Sequence, residues 1–409
     1  MSRAATGVSV AGDLPGGDSL GGAFVPPPYP YERLDTLAAV ARAAPGGIVD
    51  CSIGTPCDPV PGVVIEAVRA AAAASAGYPP SAGTPALRDA AAAWIERTFG
   101  VAIDGSAIGA CLGTKEFVGG LPHLLHRRDP ERDTVLYPAV AYPTYQMGAA
   151  LAGIRAVPVP VDGEWHLDVD AIDPEDARRA LVLWVNEPGN PTSSVASHAD
   201  LARVAAWGRR HGVIVASDEC YVEFAPVAAT VLASGLDGVL AVHSLSKRSN
   251  LAGMRCGFYA GDPTLVHYLV EARKHWGFMA PTPVQAAAVA ALGDEAHVAD
   301  QRSRYAERRK LVLDALGELN APAAPAELGG LDLVHDGGPM SFYLWLRSRS
   351  GVGGWTIAER LATLGLLVSP GDLYGPAGAD HVRLALVQPT DRLRLAVERL
   401  AELFAKECP

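Results

Sequence analysis

Ser244-Leu-Ser-Lys247-Arg-Ser-Asn-Leu-Ala-Gly-Met-Arg255-Cys-Gly257 follows the apolar run Leu240–His243, which reads as a buried strand. The polar residues therefore sit at the C-terminal end of a strand, where parallel sheets build their sites. Most loop lysines are simply solvated. This one is flanked by hydroxyls and followed by an arginine, a set that suits an amine nucleophile beside donors for a phosphate dianion. Burial and nearby positive charge lower a lysine's pKa and free its amine for attack.

Two further strand ends carry polar residues upstream. Val213-Ile-Val-Ala-Ser-Asp218-Glu-Cys-Tyr221 leaves a carboxylate where a buried strand stops, which is costly unless something positive faces it. A protonated pyridine nitrogen is such a partner, and Tyr221 could donate to a ring oxygen. Asp218 could instead be a helix N-cap. Asn186-Glu-Pro-Gly-Asn190-Pro-Thr192 also follows an apolar strand, and Asn190 could share that oxygen, although Asn-Pro is more often a turn. Three polar residues ending three strands are poorly explained as independent turns. Together with Lys247 they fit pyridoxal 5'-phosphate, bound as a Schiff base.

Around these segments strands and helices alternate. Ala107–Leu112, Thr134–Tyr137, Ile154–Val159, Leu181–Val185, Val213–Ala216, Leu240–His243 and Cys256–Ala260 read as buried strands. Pro85–Phe99 is the clearest helix, with Thr84 as N-cap and Pro85 in its first turn. The pattern predicts an α/β fold with a mostly parallel seven-stranded sheet flanked by helices. The texture then changes to a charged helix (Asp300–Leu316), strand-like Ser341–Leu346, a helix near Trp355–Leu364, Leu366–Val368, His381–Leu386 and a final amphipathic helix, a smaller α+β unit. The expected divisions are a mobile tail over residues 1–25, an arm over 26–55 joining the small domain, a large cofactor-binding domain over 56–298 and a small domain over 299–409. The arm opens with Pro26-Pro-Pro-Tyr-Pro30.

Composition narrows the function classes. The 409 residues are 49% hydrophobic and 19% charged, a globular profile. A net charge of -11 argues against a nucleic-acid or anionic-membrane surface. No apolar run reaches membrane-spanning length, and the N-terminus lacks the basic and apolar regions of a secretion signal. Six scattered cysteines without a CxxC pair suit a reducing compartment, so a cytoplasmic location is expected. The eleven histidines show no metal-ligand spacing, and no metal is expected.

Asn190-Pro-Thr, Asp218-x-x-Tyr221 and Ser244-x-Ser-Lys247 with Arg255 resemble, in order and spacing, the signatures of fold-type I aminotransferases of class I/II. The resemblance implies that Lys247 carries the cofactor and then serves as base and acid. It implies that Asp218 pairs with the ring nitrogen, that Tyr221 and Asn190 hold the ring hydroxyl, and that Ser244, Arg255 and, less strongly, Ser246 bind phosphate. Gly113-Thr114-Lys115 matches the phosphate-binding turn at a helix N-terminus. Tyr142, in Ala141-Tyr-Pro-x-Tyr145, matches the ring that stacks on the cofactor. Tyr78 matches a tyrosine reaching the neighbouring subunit's phosphate, which implies a homodimer with shared active sites. At the substrate end, Arg383 in His381-Val-Arg-Leu-Ala-Leu matches the arginine that grips the α-carboxylate, and Gly54 matches a glycine whose amide meets the substrate.

Longer stretches, among them Ile53-Gly-Thr-Pro-Cys-Asp-Pro-Val-Pro, Gly113-Thr-Lys-Glu116 and Lys274-His-x-Gly-x-Met-x-Pro-x-Pro-Val-Gln285, resemble actinobacterial N-succinyldiaminopimelate aminotransferases. That resemblance implies glutamate as donor and N-succinyl-2-amino-6-oxopimelate as acceptor, in lysine and diaminopimelate synthesis. The chain departs from the pattern at Ser193, where most relatives carry Gly, and at Trp276. A relative recruited to secondary metabolism would share these motifs. So would a same-fold C–S lyase or decarboxylase. A cofactor-sensing transcription regulator would need a basic helix-turn-helix module, which the Gly/Pro-rich N-terminus does not offer.

Overall fold

The computed structural model describes residues 24–73, 75–319 and 332–406. The tail expected over residues 1–25 lies outside them except for Phe24 and Val25, as does Cys408.

Seven strands build one sheet: β1 (Ile108–Cys111), β2 (Thr134–Pro138), β3 (Arg155–Val159), β4 (Ala180–Asn186), β5 (Ile214–Asp218), β6 (Val239–Ser244) and β7 (Gly257–Gly261). Their spatial order is β1-β7-β6-β5-β4-β2-β3. Only β7 runs against its neighbours; the pairs β2–β3, β2–β4, β4–β5 and β5–β6 are parallel. All seven expected strands are present. The interior ones β4, β6 and β7 are buried along their whole length, as a helix-covered sheet requires, while the edge strand β3 is exposed at Arg155 and Pro158. In β4, Val182 and Trp184 face one core with Phe117, Leu121 and Tyr259. Leu183 and Val185 face the other, with Leu87, Trp94 and Ile95.

Local sequence fixes several helix ends. The helix Pro85–Phe99 starts where Thr84 Oγ1 accepts from Leu87 N and stops at Gly100, whose φ of 69° suits a residue without Cβ. Ser197 and Asp200 form a reciprocal capping box on the helix His198–His211. The helix expected from Asp300 begins earlier, at Ala296, because Asp294 Oδ1 accepts from the Ala296 amide at 2.9 Å.

A second, antiparallel sheet follows, ordered β10-β11-β9-β8: β8 (Leu333–His335), β9 (Tyr343–Ser348), β10 (Ser369–Pro370) and β11 (His381–Ala385). The strand expected from Ser341 starts two residues later. Ser341 N and Oγ both donate to Phe224 O, tying this segment to the loop after β5 rather than to a ladder. Leu34, Leu37 and Ala41 share a core with Leu344, Ile357, Leu361 and Val382. Val49 and Asp50 pair in parallel with Leu366 and Leu367, and the Ala385 amide donates to Cys51 O at 2.8 Å. The segment after Cys51 is thereby laid against β11 and over the ends of β4–β6. Among the described residues no helix is long and apolar enough to cross a membrane.

Candidate active site

The C-terminal ends of β4, β5 and β6 open on a cavity of about 340 Å³. Asn186 ends β4, Asp218 ends β5 and Ser244 ends β6, so three adjacent parallel strands deliver their polar termini to one place. Lys247 follows on the short helix Leu245–Arg248, whose start is fixed by Ser246 N donating to Ser244 Oγ at 3.1 Å.

Lys247 is half-buried, and its Nζ donates to Gly54 O. Desolvation pushes its pKa down to about 8; Arg383 and Arg255 push the same way, while Cys220 and Asp218 pull upward. A substantial fraction of this amine is therefore neutral near physiological pH. Asp218 is buried, accepting from Tyr145 Oη at 3.0 Å and Cys220 N at 3.2 Å. No cation lies within ion-pair distance of it among the described residues, and burial raises its pKa despite those bonds. A buried carboxylate so placed suits a protonated ring nitrogen. Asn186 Nδ2 donates to Asp218 O at 2.9 Å, and its Oδ1 accepts from Asn190 N at 2.9 Å. Tyr221 Oη lies 2.9 Å from Tyr343 Oη.

Ser244, Ser246, Thr114 and Arg255 line the same end of the cavity. Gly113 N-caps the helix Thr114–Arg128 at φ 80° with no side-chain cap, leaving its first amides free. A Cβ on Gly113 would collide with the Arg255 guanidinium. Free helix amides against an arginine form a cup for a phosphate dianion. An amine of lowered pKa, a buried carboxylate without an ion-pair partner and that cup together fit pyridoxal 5'-phosphate.

Arg383, in the wall of the same cavity, is buried. Its Nη1 donates to Asn190 Oδ1 at 2.8 Å and its Nη2 to Ser52 O, while Nε has no partner. The rings of Tyr343 and Tyr374 lie 4.4 and 4.9 Å from its guanidinium carbon.

Of the residues singled out in the sequence, Lys247, Asp218, Tyr221, Asn190, Ser244, Ser246, Arg255, Thr114, Lys115, Tyr142, Arg383 and Gly54 all line this cavity. Lys115 turns its Nζ outward to Tyr29 Oη at 3.2 Å. Gly54 offers its carbonyl to Lys247. Tyr78 stands apart, 96% exposed and absent from the cavity wall of its own chain. Sequence reasoning missed Asn186, Tyr145 and Tyr343, and also Tyr29 and Tyr31 from the arm. Asn186 and Tyr145 lie inside quoted motifs and could have been found by asking what orients Asp218; the others arrive through long-range packing. Ser193, where Gly was expected, has φ 60° and is held there by Oγ donating to Tyr343 O at 2.9 Å.

The family model for aminotransferase class I and II matches residues 47–400. The chain is 42% identical over 381 residues to the 4-dedimethylamino-4-oxo-anhydrotetracycline transaminase OxyQ of Streptomyces rimosus, covering 91% of this chain and 99% of that one. It is 36% identical to the LL-diaminopimelate aminotransferase of Desulforudis audaxviator, with 91% and 95% covered. A solved structure, the probable N-succinyldiaminopimelate aminotransferase of Thermus thermophilus, superposes with a TM-score of 0.81 at 30% identity, over 91% of this chain and 100% of that one. With its cofactor-fitting cavity at the strand ends of an α/β sheet, this chain belongs to the class I and II aminotransferases, enzymes of fold type I that depend on pyridoxal phosphate.

Proposed function

We propose that the enzyme moves an amino group from glutamate to N-succinyl-2-amino-6-oxopimelate, as a step in diaminopimelate and lysine synthesis in the cytoplasm. The observation that carries this reading is one cavity lined by both a reactive amine, Lys247, and a buried guanidinium, Arg383. When bound, pyridoxal phosphate supplies an electron sink for negative charge at the substrate α-carbon. Asp218 would face the ring nitrogen and favour its protonated form, with Tyr145 and the Cys220 amide holding the carboxylate in place. Tyr221 and Asn190 would serve the ring hydroxyl, and Tyr142, in the same cavity wall, would cover the ring. Ser244, Ser246, Arg255 and the amides of Gly113, Thr114 and Lys115 would hold the phosphate. Lys247 Nζ then removes and returns the proton at the substrate α-carbon. Arg383 binds the α-carboxylate through paired donors, and the Gly54 amide adds to that contact. The Lys115 ammonium at the mouth suits an acidic far end of the substrate. Tyr78, exposed on its own chain, completes the phosphate site of a partner subunit in a homodimer.

A second acceptor class is favoured by a specific observation. Tyr29, Tyr31 and Tyr142 all line the cavity, and aromatic walls suit a bulky ring ketone such as the one named for the Streptomyces relative. A half-reaction panel separates the readings. Glutamate should bleach the holoenzyme's visible band, and N-succinyl-2-amino-6-oxopimelate should restore it. Restoration by a polycyclic ketone alone supports the second reading. Pyruvate and ammonia released from cystathionine, without bleaching by glutamate, contradict both and identify a C–S lyase.

A further inference from the structure

A hairpin outside the cavity ties the substrate end to the cofactor loop. Val161 bridges Leu167, and Asp162 Oδ1 accepts from the amides of Glu164 and His166, each at 2.9 Å. At the tip Trp165 has a φ of 70°, a left-handed conformation that a bulky residue keeps only where its surroundings hold it. The second sheet holds it. Trp165 Nε1 donates to Asp336 O at 2.6 Å, and the indole stands edge-on to Trp345 and His381, at 6.0 and 5.2 Å between ring centroids. His381 stacks flat on Trp345 at 4.7 Å and belongs to β11, the strand that carries Arg383.

His166, beside it, turns the other way. Its Nδ1 lies 3.1 Å from Glu187 Oε1. Glu187 is buried in the loop between Asn186 and Asn190, and it also accepts from Ser194 Oγ at 3.1 Å and Ala196 N at 3.0 Å. With the His166 ring donating, all three partners are donors, the set an ionised carboxylate requires. Asn190, in the same loop, accepts from Arg383 Nη1. The contacts close a circuit: Arg383 to Asn190, through the loop to Glu187, across to His166 and Trp165, and back through His381 to the strand of Arg383.

We propose that Trp165 and His166 form a clasp that positions Asn190 and Arg383, so that affinity for the substrate carboxylate depends on this hairpin more than the proton chemistry at Lys247 does, Tyr221 sharing Asn190's place at the ring hydroxyl. The proposal rests on Arg383 as the carboxylate anchor. Both residues are positioning residues, because neither lines the cavity. A small displacement of Asn190 would cost the guanidinium a partner and loosen its aim.

The test compares holoenzymes of wild type, His166→Leu, His166→Gln, Trp165→Phe and Arg383→Lys. It measures the Kd of succinate, a dicarboxylate with no amine to transfer, together with KM, kcat and the Kd of pyridoxal phosphate. His166→Leu should weaken succinate about tenfold, the worth of one buried hydrogen bond, and raise KM in step, with kcat and cofactor affinity falling less than about threefold because Tyr221 still serves the ring hydroxyl. His166→Gln keeps a donor to Glu187 and should restore wild-type affinity. Trp165→Phe keeps the ring but loses the bond to Asp336, and should show the same split more weakly. It decides the matter should His166→Leu fail to fold. Normal succinate binding in both His166→Leu and Trp165→Phe, with Arg383→Lys impaired, overturns the clasp alone. An equal fall in kcat, cofactor affinity and succinate affinity also overturns it, since that marks general damage. Unchanged succinate binding in Arg383→Lys removes the anchor itself, and the clasp with it.

Discussion

Lys247 and Arg383 are both basic groups facing one cavity, yet their surroundings treat the two charges in opposite ways. Lys247 has one carbonyl partner, Gly54 O, and two arginines nearby. Desolvation wins, and its ammonium gives up a proton at about pH 8. Arg383 is more deeply buried, but a guanidinium is too basic to be neutralised by burial. It is instead given Asn190 Oδ1, Ser52 O and two tyrosine faces. The difference shows how desolvation can serve two ends: it makes a nucleophile of a group that can lose its proton, and a fixed charge of one that cannot.

The contrast can be broken at either end. Lys247→Ala removes the amine, and the half-reaction with glutamate should slow by at least about 10⁴-fold, measured by single-turnover bleaching of reconstituted enzyme. Arg383→Lys keeps the charge but loses the planar fork, and KM for a carboxylate substrate should rise about 100-fold with cofactor colour intact. A rise in KM of less than about threefold would place the carboxylate elsewhere.

Titration sharpens the same comparison. The neutral amine is the reactive form, and its pKa is depressed to about 8. Reconstitution of cofactor-free enzyme with pyridoxal phosphate should therefore accelerate about tenfold per pH unit below that value and level off above it. An acceleration continuing to about pH 10 would mean that Lys247 is an ordinary lysine. The smallest effect is expected at Tyr145→Phe, which removes one of the bonds to Asp218. Turnover should fall about five- to tenfold, with little change in cofactor affinity.

Legibility followed the range of the interaction. Thr84, Pro85 and Gly100 bracket a helix by contacts a few residues long, and the strands announce themselves as short apolar runs between helices, so the large sheet was readable throughout. The strand-end part of the candidate site, whose residues line one cavity, was readable for the same reason. Asp218 and Ser244 each end a strand, and Lys247 follows three residues later. Tyr29 and Tyr31 were not, because only folding brings the arm to the cavity mouth. Tyr343 comes from the second sheet, on an apolar strand with nothing local to mark it. Ser193 looked like a departure from the pattern until its positive φ and its bond to Tyr343 O gave the reason it is accommodated. Tyr78 lies outside its own chain's cavity, where a single chain gives it no ligand to meet.

The central claim is that the amine of Lys247, and of no other lysine, carries the coenzyme. Borohydride reduction of the coloured enzyme, followed by proteolysis and mass spectrometry, tests it directly. The reduced coenzyme should be found on the peptide containing Ser244 to Arg248, attached to Lys247. Attachment to Lys115 or Lys274, or no covalent label on a coloured protein, would contradict it.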